Sequence, residues 1–391
     1  MGADRLDADC VIVGAGCAGL SLAVHLLDQG PDDLRVALLE PRTEYHRDRT
    51  WCFWDVEPHP FRSCVTHRWA RWQVRAAGRG YTARSDRYPY CHLPSDAFYR
   101  EALRRIDASP RMELRTGVRV EGIAEGAGGV TVESSEGPVR ASMAFDSRPP
   151  RLDHPPAAGE VRLLQHFGGW MVRADRALFD PSTCTLMDFD VDQGDGVHFV
   201  YVLPFDPHTA LVEDTWFTEA PWPRARYDRE LARYLTDRFG AAAYEVTHTE
   251  GGVLPMTTEP FVSTPGSRVL RIGLGGGMAK ASTGYAFSFI QRHSSALARR
   301  IGRGRLPDPV EVRSGWTRML DRVFLKVLAE RPAEAPDLFL RLFEGAPDDV
   351  VVRFLCERSS LQDDLRIMAS LPAGPFAGAA WRARRLWLRR A

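Results

Sequence analysis

Two adjacent carboxylates, Glu213 and Asp214, sit inside the apolar stretch Ala210-Leu-Val-Glu-Asp-Thr-Trp-Phe217. An unpaired charge buried in such surroundings costs several kcal/mol or is neutralised by a raised pKa. The stretch reads as a strand, so alternation sends Leu211, Glu213 and Thr215 to one face and Val212, Asp214 and Trp216 to the other. Only one of the two acids can therefore face a given pocket. A carboxyl kept protonated in a dry pocket is a general acid for weakly basic substrates, where water cannot quench a cation. The plain alternative is an edge strand with both acids in water.

The elements that would position such an acid begin at the N-terminus. Asp9-Cys-Val-Ile-Val13 is a short apolar strand running into Gly14-x-Gly16-x-x-Gly19, and Ser21 to Leu27 reads as a helix stopped near Gly30-Pro31. A second strand from Leu34 ends in Glu40, about 24 residues past the central glycine and close to the spacing of ~20 in dinucleotide-binding units. Gly14 makes the tight turn, Gly16 lets backbone approach a pyrophosphate, and Gly19 permits close helix–strand packing. The helix N-terminus offers free N–H groups to the anion, and Glu40 would accept from ribose hydroxyls.

A second glycine cluster, Leu270-Arg-Ile-Gly-Leu-Gly-Gly-Gly-Met278, precedes Ser282-Thr-Gly-Tyr285. It reads as a strand, a glycine turn and a helix from about Tyr285 to Arg300. That places Gly275, Gly276, Gly277, Met278, Thr283 and Gly284 against the far end of a long cofactor, which favours FAD over NAD. Between the two clusters, Pro94-Ser-Asp-Ala-Phe98 is a helix start with Ser95 or Asp96 as cap, and Met112 to Leu114 is a third parallel strand. Val118–Ile123, Val130–Ser134 and Val139–Phe145 form a meander. Strands at 166–172, 183–189, 197–204 and 210–217, with a helix at 226–239, form a sheet-based middle. Helices dominate from about Pro307. The expected divisions are 1–150 with 263–305, then 151–262, then 306–391.

Composition bounds the rest. The chain has 391 residues, 44% hydrophobic and 26% charged, with Lys+Arg 51 against Asp+Glu 51. No net field draws in nucleic acid. Seven scattered cysteines lack metal-ligand spacing and point to a reducing cytoplasm. No basic-then-apolar leader opens the chain, and no apolar run reaches the ~18 residues of a spanning helix.

Several stretches together resemble the flavin-dependent lycopene β-cyclases, within the glutathione-reductase-like flavoproteins. They are Val11–Leu20 with Glu40, Arg49-Thr-Trp-Cys-Phe-Trp54, Met187–Gly196 running into Phe199–Pro204, and Val212-Glu-Asp-Thr215. The match continues through Gly276–Tyr285, Asp321-Arg-Val-Phe-Leu325 and Phe343-Glu-Gly-Ala-Pro347. Lys280 and Ala281 depart from the His and Pro usual in that family. The resemblance implies an α/β fold: a discontinuous Rossmann-like FAD-binding domain of the glutathione-reductase type, a β-sheet substrate domain and a helical C-terminal region. It also implies a redox-neutral cyclisation of the linear end of a carotenoid, using reduced FAD with NAD(P)H as reductant. Glu213, with Thr215 beside it and Asp214 turned away, becomes the catalytic acid, and Arg49 joins the cofactor site. Trp51, Phe53, Trp54, Trp216, Phe217 and Tyr285 become candidate ring faces for a hydrophobic polyene and its cation.

Other readings stay open: the same chemistry on a smaller prenylated molecule, a flavin hydroxylase, a prenyl reductase, or a non-catalytic flavoprotein. Against the hydroxylase, the meander ends Asp146-Ser-Arg-Pro149 without a following Asp-Gly, and Gly273-Leu-Gly-Gly-Gly277 lacks an Asp. The acidic run Asp188, Asp190, Asp192, Asp195 reads as a solvated hairpin. The basic, Trp- and Leu-bearing tail Trp381–Arg390 suits a lipid headgroup interface, so peripheral membrane contact is expected.

Overall fold

The computed structural model describes residues 6–150, 152–240, 242–261, 267–303 and 310–387, with backbone alone for 382–387. The chain opens with β1 (Ala8–Val13), α1 (Cys17–Gln29) and β2 (Val36–Glu40). Then come β3 (Thr50–Trp54), β4 (His67–Trp69), β5 (Arg71–Ala76), β6 (Arg79–Arg84), β7 (Tyr90–Pro94), α2 (Ser95–Asp107) and β8 (Met112–Thr116). The meander is β9 (Val120–Gly126), β10 (Gly129–Ser134) and β11 (Val139–Asp146). The middle supplies β12 (Arg162–Ala174), β13 (Thr183–Asp188), β14 (Val197–Pro204), β15 (Thr209–Thr218), α3 (Arg224–Phe239) and β16 (Tyr244–Thr257). Last come β17 (Val269–Arg271), α4 (Phe287–Ile301), α5 (Gly315–Glu330), α6 (Ala335–Glu344), α7 (Asp348–Leu355), α8 (Leu361–Ser370) and α9 (Ala373–Trp387).

One sheet runs β8-β2-β1-β11-β10-β9, with β17 paired in parallel to β11. β1 lies between two parallel neighbours, β2 and β11, so both its faces are covered and its sequence is an apolar run. β17 and α4 return to this unit from late in the chain. Gln291 on α4 donates to Ser21 Oγ on α1 at 2.7 Å, joining the two helices inside one core.

The second sheet runs β16-β12-β15-β14-β13-β5-β6, and it departs from the expected boundary at residue 150. β5 and β6 come from within 1–150 yet extend the middle sheet, β5 pairing in parallel with β13. Their signal was available: Trp72, Val74 and Ala76 alternate with polar residues, and Ala77-Gly78, both at positive φ, makes the two-residue hairpin turn. β16 was also missed, because Gly251-Gly252 in its interior reads as a break. β3, β4 and β7 form a small third sheet.

Ser95 does not cap α2: Pro94 holds the cap position, and Ser95 Oγ instead accepts from the backbone N–H of Asp48 at 3.0 Å. Asp188 is not solvated either. It is buried and accepts from Tyr234 Oη at 2.9 Å. Of the basic tail, the side chains from 382 onward and all of 388–391 lie outside the described residues.

The C-terminal helices are fastened to the segment before α4 by buried ions. Asp321 on α5 accepts from the backbone N–H groups of Ala281 (2.7 Å) and Ser282 (3.1 Å). It also pairs with Lys280 at 3.0 Å and Arg313 at 2.9 Å, and both cations reach Glu357 as well. Lys280, the departure from the family pattern, is therefore the hub of an ion cluster.

Burial by itself would raise the Asp321 pKa, but Lys280 and Arg313 hold it below the ordinary range. The folded-state pKa is thus below the unfolded one. Ionised Asp321 stabilises the fold above about pH 4, and that stability is lost as pH falls toward the folded value. Asp321→Asn is expected to cost about 3–5 kcal/mol at neutral pH and to flatten the acid limb of a urea-midpoint-versus-pH curve.

Candidate active site

The second sheet presents Glu213 on one face through a chain of cross-strand pairs. On β12 the partner of Glu213 is Gly169, and the partner of Gly169 on β16 is Glu250. Two acids on strands either side of β12 thus share a face with no side chain between them. A Cβ on Gly169 would lie 3.1 Å from Glu213 Cγ and 3.2 Å from Glu250 Cγ. The two side chains therefore stand against one another across Gly169. Glu250 Oε2 also accepts from Thr50 Oγ1 at 2.9 Å.

Burial is the largest cause raising both carboxyl pKa values, and two carboxylates this close cannot both ionise freely. The Thr50 hydroxyl favours charge on Glu250, which leaves Glu213 holding the proton, well above its ordinary range. The surface Glu213 retains lines a cavity. Glu250 was not among the expected residues. Its signal was the carboxylate in His248-Thr-Glu-Gly-Gly252, hidden because the glycines obscured the strand.

That cavity, of about 450 Å³, is also lined by Thr215, Trp51, Cys52, Phe167, Tyr90, Tyr201 and Tyr285. Thr215 Oγ1 is buried without a hydrogen-bond partner. Burial pushes Tyr90, Tyr201 and Tyr285 up, so all three stay neutral. Cys52 is likewise raised by burial. Glu213 and Arg49 are therefore the charged residues of a lining otherwise made of aromatic, aliphatic and neutral polar groups, with Glu250 set behind Glu213.

Four expected aromatics fall outside the lining. Phe53 stacks on Phe287 with centroids 4.5 Å apart, and Trp54 packs edge-on to Trp72 and Tyr285 behind the pocket. Phe217 is core, against Phe199. Trp216 lies on the opposite face of β15, stacked on His198 at 3.8 Å. Asp214, the second candidate acid of this strand, shares that face and is completely buried, so it does not reach the cavity. It accepts from Trp216 Nε1 at 2.8 Å and pairs with His198 Nε2 at 2.5 Å. Strand alternation and the cover of α3, whose Tyr227 meets Gly168, give Asp214 a structural place.

The same cavity reaches the N-terminal glycine turn through Gly16, Cys17 and Ala18, and the late segment through Leu274, Thr283, Gly284 and Ala286. Gly14 has φ +85°, and a Cβ on Gly19 would meet Gly14 O at 1.9 Å, so the turn tolerates no side chain there. Gly284, at φ +72°, sits where a Cβ would fall 1.8 Å from Gln165 Oε1. Gln165 Oε1 and Thr283 Oγ1 are buried without partners. Backbone stripped of Cβ atoms, a helix N-terminus and unpartnered polar atoms fit a flavin and its phosphates. Arg49 borders the cavity, half exposed and paired with Asp48 at 3.0 Å.

Two cofactor expectations differ in detail. Glu40 is buried, and its oxygens accept from the Ala15 backbone N–H (2.6 Å) and Arg42 Nε (2.9 Å). Arg42, two residues on, is the cation beside Gly16, stacked over Tyr45 at 4.7 Å, and the sequence reading missed it. The late glycines divide. Gly273–Gly276 form a 3-10 turn and Gly277 is left-handed at φ +78°, so the chain reverses there. Gly276, Gly277 and Met278 consequently line a separate cavity of about 740 Å³ beside α5, while Gly275 packs on the Arg148 carbonyl.

With this geometry in place, similarity to known proteins is informative. The chain is 27% identical over 398 residues to the lycopene beta-cyclase of Pantoea ananas, covering 95% of this chain and 96% of that one. It is also 27% identical to the lycopene beta-cyclase of Pseudescherichia vulneris, covering 96% of each. Among solved structures, a geranylgeranyl bacteriochlorophyll reductase-like protein of Thermoplasma acidophilum aligns with a TM-score of 0.61 at 13% identity, covering 96% of this chain and 99% of that one. A flavin-dependent monooxygenase in complex with FAD and substrate aligns at TM-score 0.60 and 15% identity, covering 97% and 72%. The structural likenesses show the fold, an α/β architecture with a Rossmann-type domain. Residues 9–380 match the family model described as lycopene cyclase protein, and across that span the chain belongs to the lycopene cyclase family.

Proposed function

We propose that the protein is an FAD-dependent lycopene β-cyclase, closing the linear end of a carotenoid into a β-ring without net oxidation. The observation that carries this reading is a carboxyl, Glu213, set against a second carboxyl and lining the same cavity as a backbone cradle fitted to a flavin. An isolated alkene is so weak a base that only a carboxyl kept neutral and dry can protonate it at useful rates. Glu213 delivers its proton to the terminal double bond. Neutral Tyr201 and Tyr285 offer ring faces to the cation and no anion to trap it. The apolar walls formed by Trp51, Cys52 and Phe167 exclude water. Reduced FAD, generated with NAD(P)H, would supply negative charge that favours a cation and would give up no net electrons. Gly16, Cys17, Arg42, Thr283 and Gly284 would hold it.

Peripheral membrane contact belongs to the same reading. No helix among the described residues is long and apolar enough to cross a membrane. The helical region nevertheless exposes Leu361, Leu365 and Met368 along α8, spaced as one stripe, with Trp381 exposed on α9. A bilayer-dissolved polyene makes such a surface useful.

Anaerobic incubation with lycopene and chemically reduced FAD is expected to yield cyclised carotenoid with no stoichiometric loss of reductant. Stoichiometric consumption would instead mark a reductase or hydroxylase. Glu213→Gln is expected to keep bound flavin and lose ring formation by at least 10²-fold. Asp214→Asn should lower stability by about 1.5–3 kcal/mol while the acid remains; an active Glu213→Gln enzyme would refute the assignment. In flotation with anionic liposomes, Leu365→Glu and removal of 382–391 are each expected to reduce recovery, and unchanged recovery in both would end the membrane reading.

A further inference from the structure

We propose that Glu250 is the partner carboxyl of Glu213, the two forming a pair that donates one proton at the start of ring closure and takes one back at its end, through Glu213. This deepens the cyclase reading and rests on it. Cyclisation starts by adding a proton to the terminal double bond. An inner double bond then attacks the tertiary cation, forming one carbon–carbon bond and moving the positive charge along the chain. The ring-junction carbon finally loses a proton, restoring a double bond. One proton enters, one leaves, and no electrons are exchanged, so the protein needs a base as well as an acid.

The geometry supplies both at one place. Gly169 is the cross-strand partner of Glu213 on one side and of Glu250 on the other, and its lack of a side chain lets the carboxyls meet. Thr50, on the separate small sheet, donates to Glu250 Oε2 at 2.9 Å and fixes it in place. Resting, the pair shares one proton. Once Glu213 has donated it, two negative charges lie side by side in a site of low dielectric. That state attracts the cation just formed and has a high proton affinity, so it withdraws the ring-junction proton readily. The pair then returns to its starting charge.

Few other groups compete for this role. Cys52, Tyr90, Tyr201 and Tyr285 line the same cavity as Glu213, from β3, β7, β14 and the segment before α4, and burial keeps all four neutral. His248, on the same strand as Glu250, is lowered by burial. Arg47 and Asp48 are the charged groups acting on Glu250, and they oppose each other; Arg224 reaches only its backbone carbonyl, at 3.0 Å. Glu250 is also nearly free of bulk water, at 4% exposure.

The test uses flavin-loaded enzyme and three variants. Glu250→Gln removes the like charge that raises the Glu213 pKa. The alkaline limb of the pH–rate profile should therefore move to lower pH by about one unit or more, and ring formation should fall about 10²-fold. Gly169→Ala keeps both acids but inserts a methyl between them, and should shift the same limb in the same direction. Infrared spectroscopy of the wild type should show a protonated carboxyl band persisting at neutral pH, absent in Glu213→Gln. Glu250→Gln enzyme with wild-type rate and limb, while Glu213→Gln is dead, overturns the pair but leaves the cyclase reading standing. An active Glu213→Gln enzyme overturns the reading itself. If the Glu250 variant does not fold, absence of the protonated band in the wild type is sufficient to reject the pair.

Discussion

Desolvation of a carboxyl is the constraint on which this structure depends. Glu213 holds a proton because protein surrounds it and because a second carboxyl stands against it, and neither condition survives without the sheet that creates both. The second sheet supplies both, with β12 next to the edge strand β16 and taking β15 on its other side. Replacing Gly169 by any larger residue would part the acids, so a single absent side chain couples backbone register to proton affinity.

The two faces of β15 do opposite work. Toward the cavity stand Glu213 and Thr215, uncompensated by cations at contact distance. Toward α3 stand Asp214 and Trp216, tied to His198 and overlaid by Arg226 at 4.7 Å from the Trp216 ring. A fully bonded carboxylate behind the strand stiffens the backbone that aims the reactive one in front, which is how a buried polar network earns its place in a fold. The ion cluster of Lys280, Asp321, Arg313 and Glu357 plays a similar part for the cofactor segment. It clamps the loop carrying Thr283 and Gly284 to the C-terminal helices.

Much of the frame was legible in the chain itself. The β1–α1–β2 unit follows from local rules: glycines where Cβ atoms would collide, an apolar run covered on both faces, and an acid at the end of β2. The β15 alternation put Glu213 and Asp214 on opposite faces, as found. Other features were legible in principle but masked, such as the β5–β6 hairpin behind its Ala-Gly turn and β16 behind its paired glycines. Arg42 lay in plain view two residues after Glu40, but nothing local says that its guanidinium turns back toward Gly16.

What the sequence by itself determined is therefore local: periodicity, turn chemistry and the presence of acids in apolar surroundings, all set by residues a few positions apart. What only the tertiary structure decided is which distant groups meet. Glu250 reaches Glu213 through an intervening strand, Thr50 comes from another sheet, and the late glycines split between two cavities because one left-handed residue reverses the chain. Proton affinity is a property of such meetings, since it depends on charge and solvent within a few ångströms in space, whatever the separation along the chain.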